Sequence, residues 1–388
     1  MPFALYLLAL AVFAQGTSEF MLSGLVPDIA RDLGVSVPTA GTLTSAFAVG
    51  MIVGAPLAAL LGRRRPARQT LLMFLGVFLL AHVVGALTPG FAVLLATRVL
   101  AALADAGFLA VGLTAATGMV APDAKGRATA ILLGGTTLAC VVGVPAGAAL
   151  GRLLGWRSAF WAVALLSAPA LAAIARSVPG ARWSRPEPPG TEARAELRAL
   201  RRPRLLLTLG LGALVNGATF CTFTYLAPLT TEVTGLDAGW VPGVLALFGT
   251  GAFAGVTSAG RLADRRPRPV LRAGGAALLA GWVLLALAAG HPTTTVLLVP
   301  LLGLLAFGVG STLITRALYE AADAPSLGAA LATSALNVGA ALGPVLGGAA
   351  IDSGLGYRAP VWVSALLTAA ALVALTVSVR AVRDRQPA

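Results

Sequence analysis

Residues 205–226, LLLTLGLGALVNGATFCTFTYL, contain no charged side chain. The run exceeds the roughly 18 apolar residues that suffice to cross a bilayer as a helix. Residues 71–87, LLMFLGVFLLAHVVGAL, form a second uncharged block. Similar blocks recur along the chain, separated by short polar segments. They are rich in Ala, Leu and Gly and lack a ten-residue alternating repeat, which favours spanning helices over an outer-membrane barrel. An all-α integral membrane protein is predicted.

Composition agrees. Of 388 residues, 57% are hydrophobic and 11% charged, against about 25% charged in soluble domains. The net charge of +13 does not point to nucleic acid, because the arginines fall in short clusters between apolar blocks. Cys140 and Cys221 lie inside such blocks and read as packing residues, without disulfide or metal spacing. The first block starts almost at Met1 and runs into Glu19 and Asp28, which predicts a retained helix rather than a cleaved leader.

Twelve spans are predicted near 4–27, 38–60, 69–88, 91–118, 128–151, 158–178, 205–227, 241–262, 270–290, 294–317, 328–351 and 360–380. With a cytoplasmic N-terminus, every lysine and arginine except Arg31, Arg98, Arg152, Arg157 and Arg358 falls in a cytoplasmic segment or at the cytoplasmic end of a span. The positive-inside rule therefore places both termini in the cytoplasm of a cell inner (plasma) membrane protein. The longest polar stretch, 179–204, reads as a cytoplasmic linker between six-helix halves at 1–178 and 205–388. It would also serve as a basic tether to the inner leaflet of the lipid bilayer.

The halves repeat at an offset of about 200 residues, the mark of a duplicated architecture. Gln15-Gly16 before Pro27 matches Asn216-Gly217 before Pro228. Leu61-Gly62-Arg63-Arg64-Arg65 matches Ala263-Asp264-Arg265-Arg266. Gly143-Val144-Pro145-Ala146-Gly147 matches Gly343-Pro344-Val345-Leu346-Gly347, and Gly155-Trp156-Arg157 matches Gly356-Tyr357-Arg358. A six-plus-six duplication predicts a ligand cavity near the midplane and alternating access by rocking of the halves.

These residues resemble the major facilitator superfamily across essentially the whole chain. The loop motif is fuller in its second copy, Gly260-Arg261-Leu262-Ala263-Asp264-Arg265-Arg266. In the first copy Gly62 stands where an aspartate is usual. Arg98 matches the family's intramembrane arginine. The run from Gly135 through Gly147 resembles the motif of the drug:proton antiporter branch, which implies export. Residues 15–27, QGTSEFMLSGLVP, with Gly54-Ala55-Pro56 are similar to actinobacterial chloramphenicol efflux proteins. Sugar and nucleoside exporters share the pattern. The resemblance implies proton-coupled export of a small amphiphilic molecule such as chloramphenicol.

Glu19, Arg98 and Asp105 are charged residues that fall well inside predicted spans, away from their cytoplasmic ends. A charge near the bilayer centre costs about 2.5–3.5 kcal/mol or more, so such groups face a cavity or a partner. Glu19 reads as a proton carrier or substrate contact, with a structural ion pair as the alternative. Arg98 is its expected partner at similar depth. Asp105, two turns along the face of Arg98, reads as a further proton or substrate group, or as a buried neutral carboxyl. Phe20, Asn216, Phe220, Phe223, Tyr225 and Asn337 are candidate cavity residues, with helix packing as the alternative reading. Gly143, Pro145 and Gly147 would form a close-packed hinge. Arg261, Asp264 and Arg265 resemble a conformational latch. His82 reads as a structural histidine.

No catalytic or metal-ligating constellation stands out, so no enzyme activity and no cofactor is expected. The lack of a phosphate-cradling loop leaves ion gradients as the driving force. The expected partners are drug, protons and lipid, with the chain acting as a monomer. The competing class is a membrane receptor or scaffold, which would gain nothing from costly buried charges.

Overall fold

The computed structural model describes residues 2–62, 66–177, 202–263, 269–321 and 325–383, without side chains at 55–62, 122, 177, 260–263, 325–330 and 379–383. Twelve helices among them are long and apolar enough to cross a membrane. They are α1 (Phe3–Gly24), α2 (Val37–Gly62), α3 (Ala67–Leu87), α4 (Phe91–Gly118), α5 (Lys125–Leu154) and α6 (Arg157–Ser177). The second set is α7 (Pro203–Thr224), α8 (Val241–Ala263), α9 (Val270–Ala288), α10 (Pro292–Glu320), α11 (Pro325–Ala350) and α12 (Ala359–Arg383). The expected linker at 179–204 lies almost wholly outside the described residues.

The chain divides into two compact units. One comprises Met1–Arg185 with Asp237–Ala246, the other Pro186–Leu236 with Leu247–Ala388. In the first, a continuous apolar core joins Leu8 and Leu22 of α1, Phe47 of α2, Phe78 of α3, Phe108 of α4 and Phe160 of α6. The opposite faces stay apolar and exposed, as at Leu80, Leu100 and Leu165. Uniformly apolar helices of this kind suit a lipid surround.

The expected first span of 4–27 is shorter in the structure. The α-helix runs Phe3–Phe20 and tightens into a 3₁₀ turn at Met21–Gly24. A separate helix, Val26–Leu33, follows with Pro27 in its first turn, where a missing N–H costs nothing. It ends at Gly34, φ +65°, with Val35 N–H donating to the Ala30 carbonyl at 3.0 Å. This is the left-handed cap that glycine allows.

Inside α5 the chain opens into a π-turn at Ala139–Gly143, separated from Pro145 by Val144 alone. Proline has no N–H for the carbonyl four residues back, and a wider turn at that point accommodates the loss. Glycines then bring helices together. A methyl group at Gly135 would strike the Ala9 carbonyl, and one at Gly143 would strike Thr17, so α5 lies directly on α1. In the second unit Gly339 and Gly343 of α11 meet the Ala213 and Gly217 carbonyls of α7 in the same way. Gly143 and Gly343, matched in the sequence, each lie against the facing helix, one on the Thr17 side chain and the other on the Gly217 carbonyl, a close approach that small residues permit.

Candidate functional site

The polar centre of the first unit is built from α1, α3 and α4. Arg98 of α4 is 1% exposed. Its NH1 donates to Ser18 Oγ and its NH2 to the Ser18 carbonyl, both at 2.7 Å. Ser18 occupies the last turn of the α-helical part of α1, where carbonyls lack a regular intrahelical donor. The guanidinium also lies over the Phe47 ring at 4.5 Å and the Phe160 ring at 5.9 Å. Its charge is thus held by one residue's hydroxyl and carbonyl and by aromatic faces.

His82 completes this centre. Its Nδ1 lies 2.8 Å from the Phe78 carbonyl and its Nε2 lies 2.7 Å from Ser18 Oγ. A carbonyl can only accept, so Nδ1 carries a proton, and in the neutral imidazole Nε2 is then the acceptor. Ser18 Oγ therefore accepts from Arg98 and donates to His82. With the imidazole neutral, the direction of every hydrogen in the chain Arg98, Ser18, His82, Phe78 follows from that carbonyl.

The expected direct pair between Glu19 and Arg98 is not formed; no ion pair joins them among the described residues. The donors of Arg98 go instead to Ser18, the neighbour of Glu19. Glu19 and Asp105 nevertheless both lie within electrostatic reach of Arg98. Asp105 is 5% exposed and Glu19 partly buried. The three ionisable residues picked out in the sequence thus share one region of the first unit. His82 belongs to it as a structural group, while the part played by Ser18 was not foreseen. A serine flanked by Thr17 and Glu19 carries no local signal of a partner eighty residues away.

In the second unit the candidate residues are tied into packing. Asn216 Nδ2 donates to the Leu336 carbonyl at 2.7 Å, and the OH of Tyr225, the residue just after α7, donates to the Pro344 carbonyl at 2.8 Å, so α7 and its end are each pinned to α11. Asn337 Nδ2 bonds the Thr333 carbonyl of its own helix at 3.0 Å. Phe220 and Phe223 form an edge-on pair, and Phe223 stacks on Phe248 at 4.8 Å. Thr222 and Ser364 share a hydrogen bond of 2.7 Å, a link to α12 that the sequence reading did not include.

Of the hinge residues, Gly143 abuts Thr17, Gly147 faces Met21, and Pro145 follows the π-turn. The expected latch falls outside the described residues: Asp264 and Arg265 entirely, Arg261 in its side chain.

A second network was also not foreseen. Trp156 Nε1 and Arg157 NH1 both donate to Asp32 Oδ2, the indole at 3.0 Å, while Arg157 NH2 donates to the Thr88 carbonyl at 3.1 Å. These bonds gather the end of the short helix after α1, the end of α3 and the start of α6. The two donors hold the Asp32 carboxyl below its ordinary range, the indole bond having the larger effect. Gly155, φ +82°, turns the chain into this pair, and Gly356, φ +72°, precedes Tyr357-Arg358 likewise.

Comparison with known proteins agrees with this architecture. The sequence profile of the Major Facilitator Superfamily matches residues 8–332. A chloramphenicol resistance protein of Streptomyces lividans is 56% identical, over 96% of this chain and 95% of its own. The inner membrane transport protein YdhP of Escherichia coli K12 is 35% identical over 97% and 96%. A chloramphenicol efflux pump of Mycobacterium tuberculosis is 34% identical over 96% and 91%. Among solved structures, a bacterial homologue of the human lysosomal transporter Spinster superposes with a TM-score of 0.70 at 17% identity. It covers 96% of this chain and 94% of its own. At that identity the likeness concerns the fold alone.

Proposed function

Because this chain belongs to the Major Facilitator Superfamily, and is accordingly a membrane transporter rather than an enzyme, we propose that it exports chloramphenicol or a related neutral amphiphile in exchange for protons. The single observation that carries the proposal is the 56% identity, over nearly the full length of both chains, to a chloramphenicol resistance protein. The polar centre supplies a chemistry suited to it. Glu19 and Asp105 are carboxyls able to take and release a proton, and Arg98 is a fixed cation within their electrostatic reach.

In this reading the protein works as a monomer in the plasma membrane, with both termini in the cytoplasm and two six-helix halves joined by residues 179–204. A proton enters from outside and neutralises Glu19, which weakens its attraction to Arg98. The resulting change of conformation carries the proton inward, and drug loaded from the cytoplasm leaves in the return step. Arg98 stays charged throughout and is kept in place by Ser18. The π-turn before Pro145 is the flexible element of α5, and its glycines keep α1 and α5 in contact as they move.

The test is growth of a susceptible strain on chloramphenicol with and without the gene, together with accumulation of labelled drug before and after a protonophore. Raised tolerance with protonophore-sensitive efflux is the expected result. Unchanged drug accumulation on expression of well-inserted protein would overturn the proposal.

A further inference from the structure

Gln15 is 1% exposed, yet among the described residues neither its Oε1 nor its Nε2 has a hydrogen-bond partner. Among those residues it is the one side chain with two such buried atoms. Buried amides are normally paired, and an unpaired one costs folding free energy. A feature of this kind persists where the group serves something other than the fold.

Its neighbours on α1 show which way it points. Ser18 faces α3 and α4 through His82 and Arg98. Gly16 lies against Thr136 and Ala139, and Thr17 lies against Gly143, so that side of α1 faces α5. With 3.6 residues per turn, Gln15 falls in the remaining arc between these directions, one turn from Glu19 on the same face. Glu19 itself is within electrostatic reach of Arg98 and Asp105 on α4 and of Cys140 on α5. Gln15 and Glu19 therefore form a ladder of one neutral amide and one acid on the face of α1 between its contacts to α4 and to α5.

We propose that Gln15 is a substrate-binding residue that reads a neutral secondary amide, donating through Nε2 to its carbonyl and accepting through Oε1 from its N–H. A primary carboxamide offers a donor and an acceptor side by side, which a secondary amide matches. This inference rests on the export reading above, since chloramphenicol carries such an amide. It divides the labour on α1: Gln15 recognises the drug and Glu19 holds the proton. A site built to pair with an amide also rejects analogues that leave its buried groups unpaired.

The test compares purified wild type with Gln15→Leu and with Gln15→Met, which keeps the length of the side chain but neither polar atom. Without drug, both variants melt at or above the wild-type temperature, because a buried amide lacking a partner is replaced by an apolar group. With chloramphenicol, both bind about tenfold more weakly, equivalent to about 1.4 kcal/mol. In proteoliposomes KM rises and turnover at saturating drug is retained. Wild-type binding matched by equal affinity in both variants overturns the assignment of Gln15 alone. A lower melting temperature of both drug-free variants also overturns it, since the amide would then have a structural partner. Wild type that binds no chloramphenicol overturns the export reading and the amide assignment together.

Discussion

Arg98 grips Ser18 twice, through the hydroxyl and through the carbonyl, at 2.7 Å each. Two parallel bonds from a planar guanidinium to one residue fix direction as well as distance. The intramembrane cation is thereby oriented by a neutral residue, through its hydroxyl and its backbone carbonyl, and not by an ion pair with a neighbouring carboxyl.

Ser18→Ala keeps the carbonyl bond but leaves NH1 of Arg98 and Nε2 of His82 without their shared partner. A buried group left unpaired costs about 1–3 kcal/mol, so the apparent melting temperature of the purified protein falls. His82→Phe removes the other end of the chain, and because the two share one network their effects are non-additive. A double-mutant cycle gives a coupling of about 0.5–3 kcal/mol. Strict additivity would mean that the histidine does not hold the serine.

Glu19→Gln keeps the shape and removes the titratable group. Export driven by an imposed pH gradient is lost in vesicles, while drug still equilibrates down its own gradient. Retained gradient-driven export by this variant would assign the proton to Asp105, and Asp105→Asn is then the variant that loses it.

Gly147 lies 3.3 Å from Met21 Cβ, measured from where its own Cβ would stand. Gly147→Leu overfills that contact at a cost of about 1–3 kcal/mol and pushes α5 away from α1. Pro145→Leu restores an N–H and regularises the turn before it. Both variants, inserted at normal levels, export more slowly than wild type in a transport assay. Normal turnover by both would remove the hinge role.

Asp32 holds Trp156 and Arg157 as an anion, and its folded pKa is depressed by them. The linkage sign follows from that direction. The contribution is complete above the ordinary aspartate value of about 3.9 and is lost as pH falls through the lower native value. Asp32→Asn therefore lowers the melting temperature at neutral pH, and the difference from wild type shrinks in acid. A difference that stays constant across that range would show that the carboxylate charge is irrelevant.

Tags placed after Ala388 and near Gly190 report from the cytoplasm of intact cells, because the basic residues cluster in those segments. Labelling of either by an impermeant reagent added outside would reverse the proposed orientation.

What the sequence determined by itself is local. Uncharged runs such as 205–226 established helices and their number, since the apolar length of a span is a property of consecutive residues. The glycines of α5, Gly143 and Gly147 among them, announced close helix approach, because a missing side chain is visible without a structure. The costly residues Glu19, Arg98 and Asp105 declared themselves by charge in apolar surroundings. Only the tertiary structure decided their partners. Ser18 meets His82 across 64 residues and Arg98 across 80, and Asp32 meets Trp156 across 124. Such bonds depend on the rotation of each helix about its axis and on the depth at which neighbours cross. Those quantities are set by the packing of whole helices against one another. For the same reason Arg98, whose charge alone called for an acid, took a serine instead, while Gln15, which the sequence marked only as part of a repeat and a family motif, emerged as the amide without a partner.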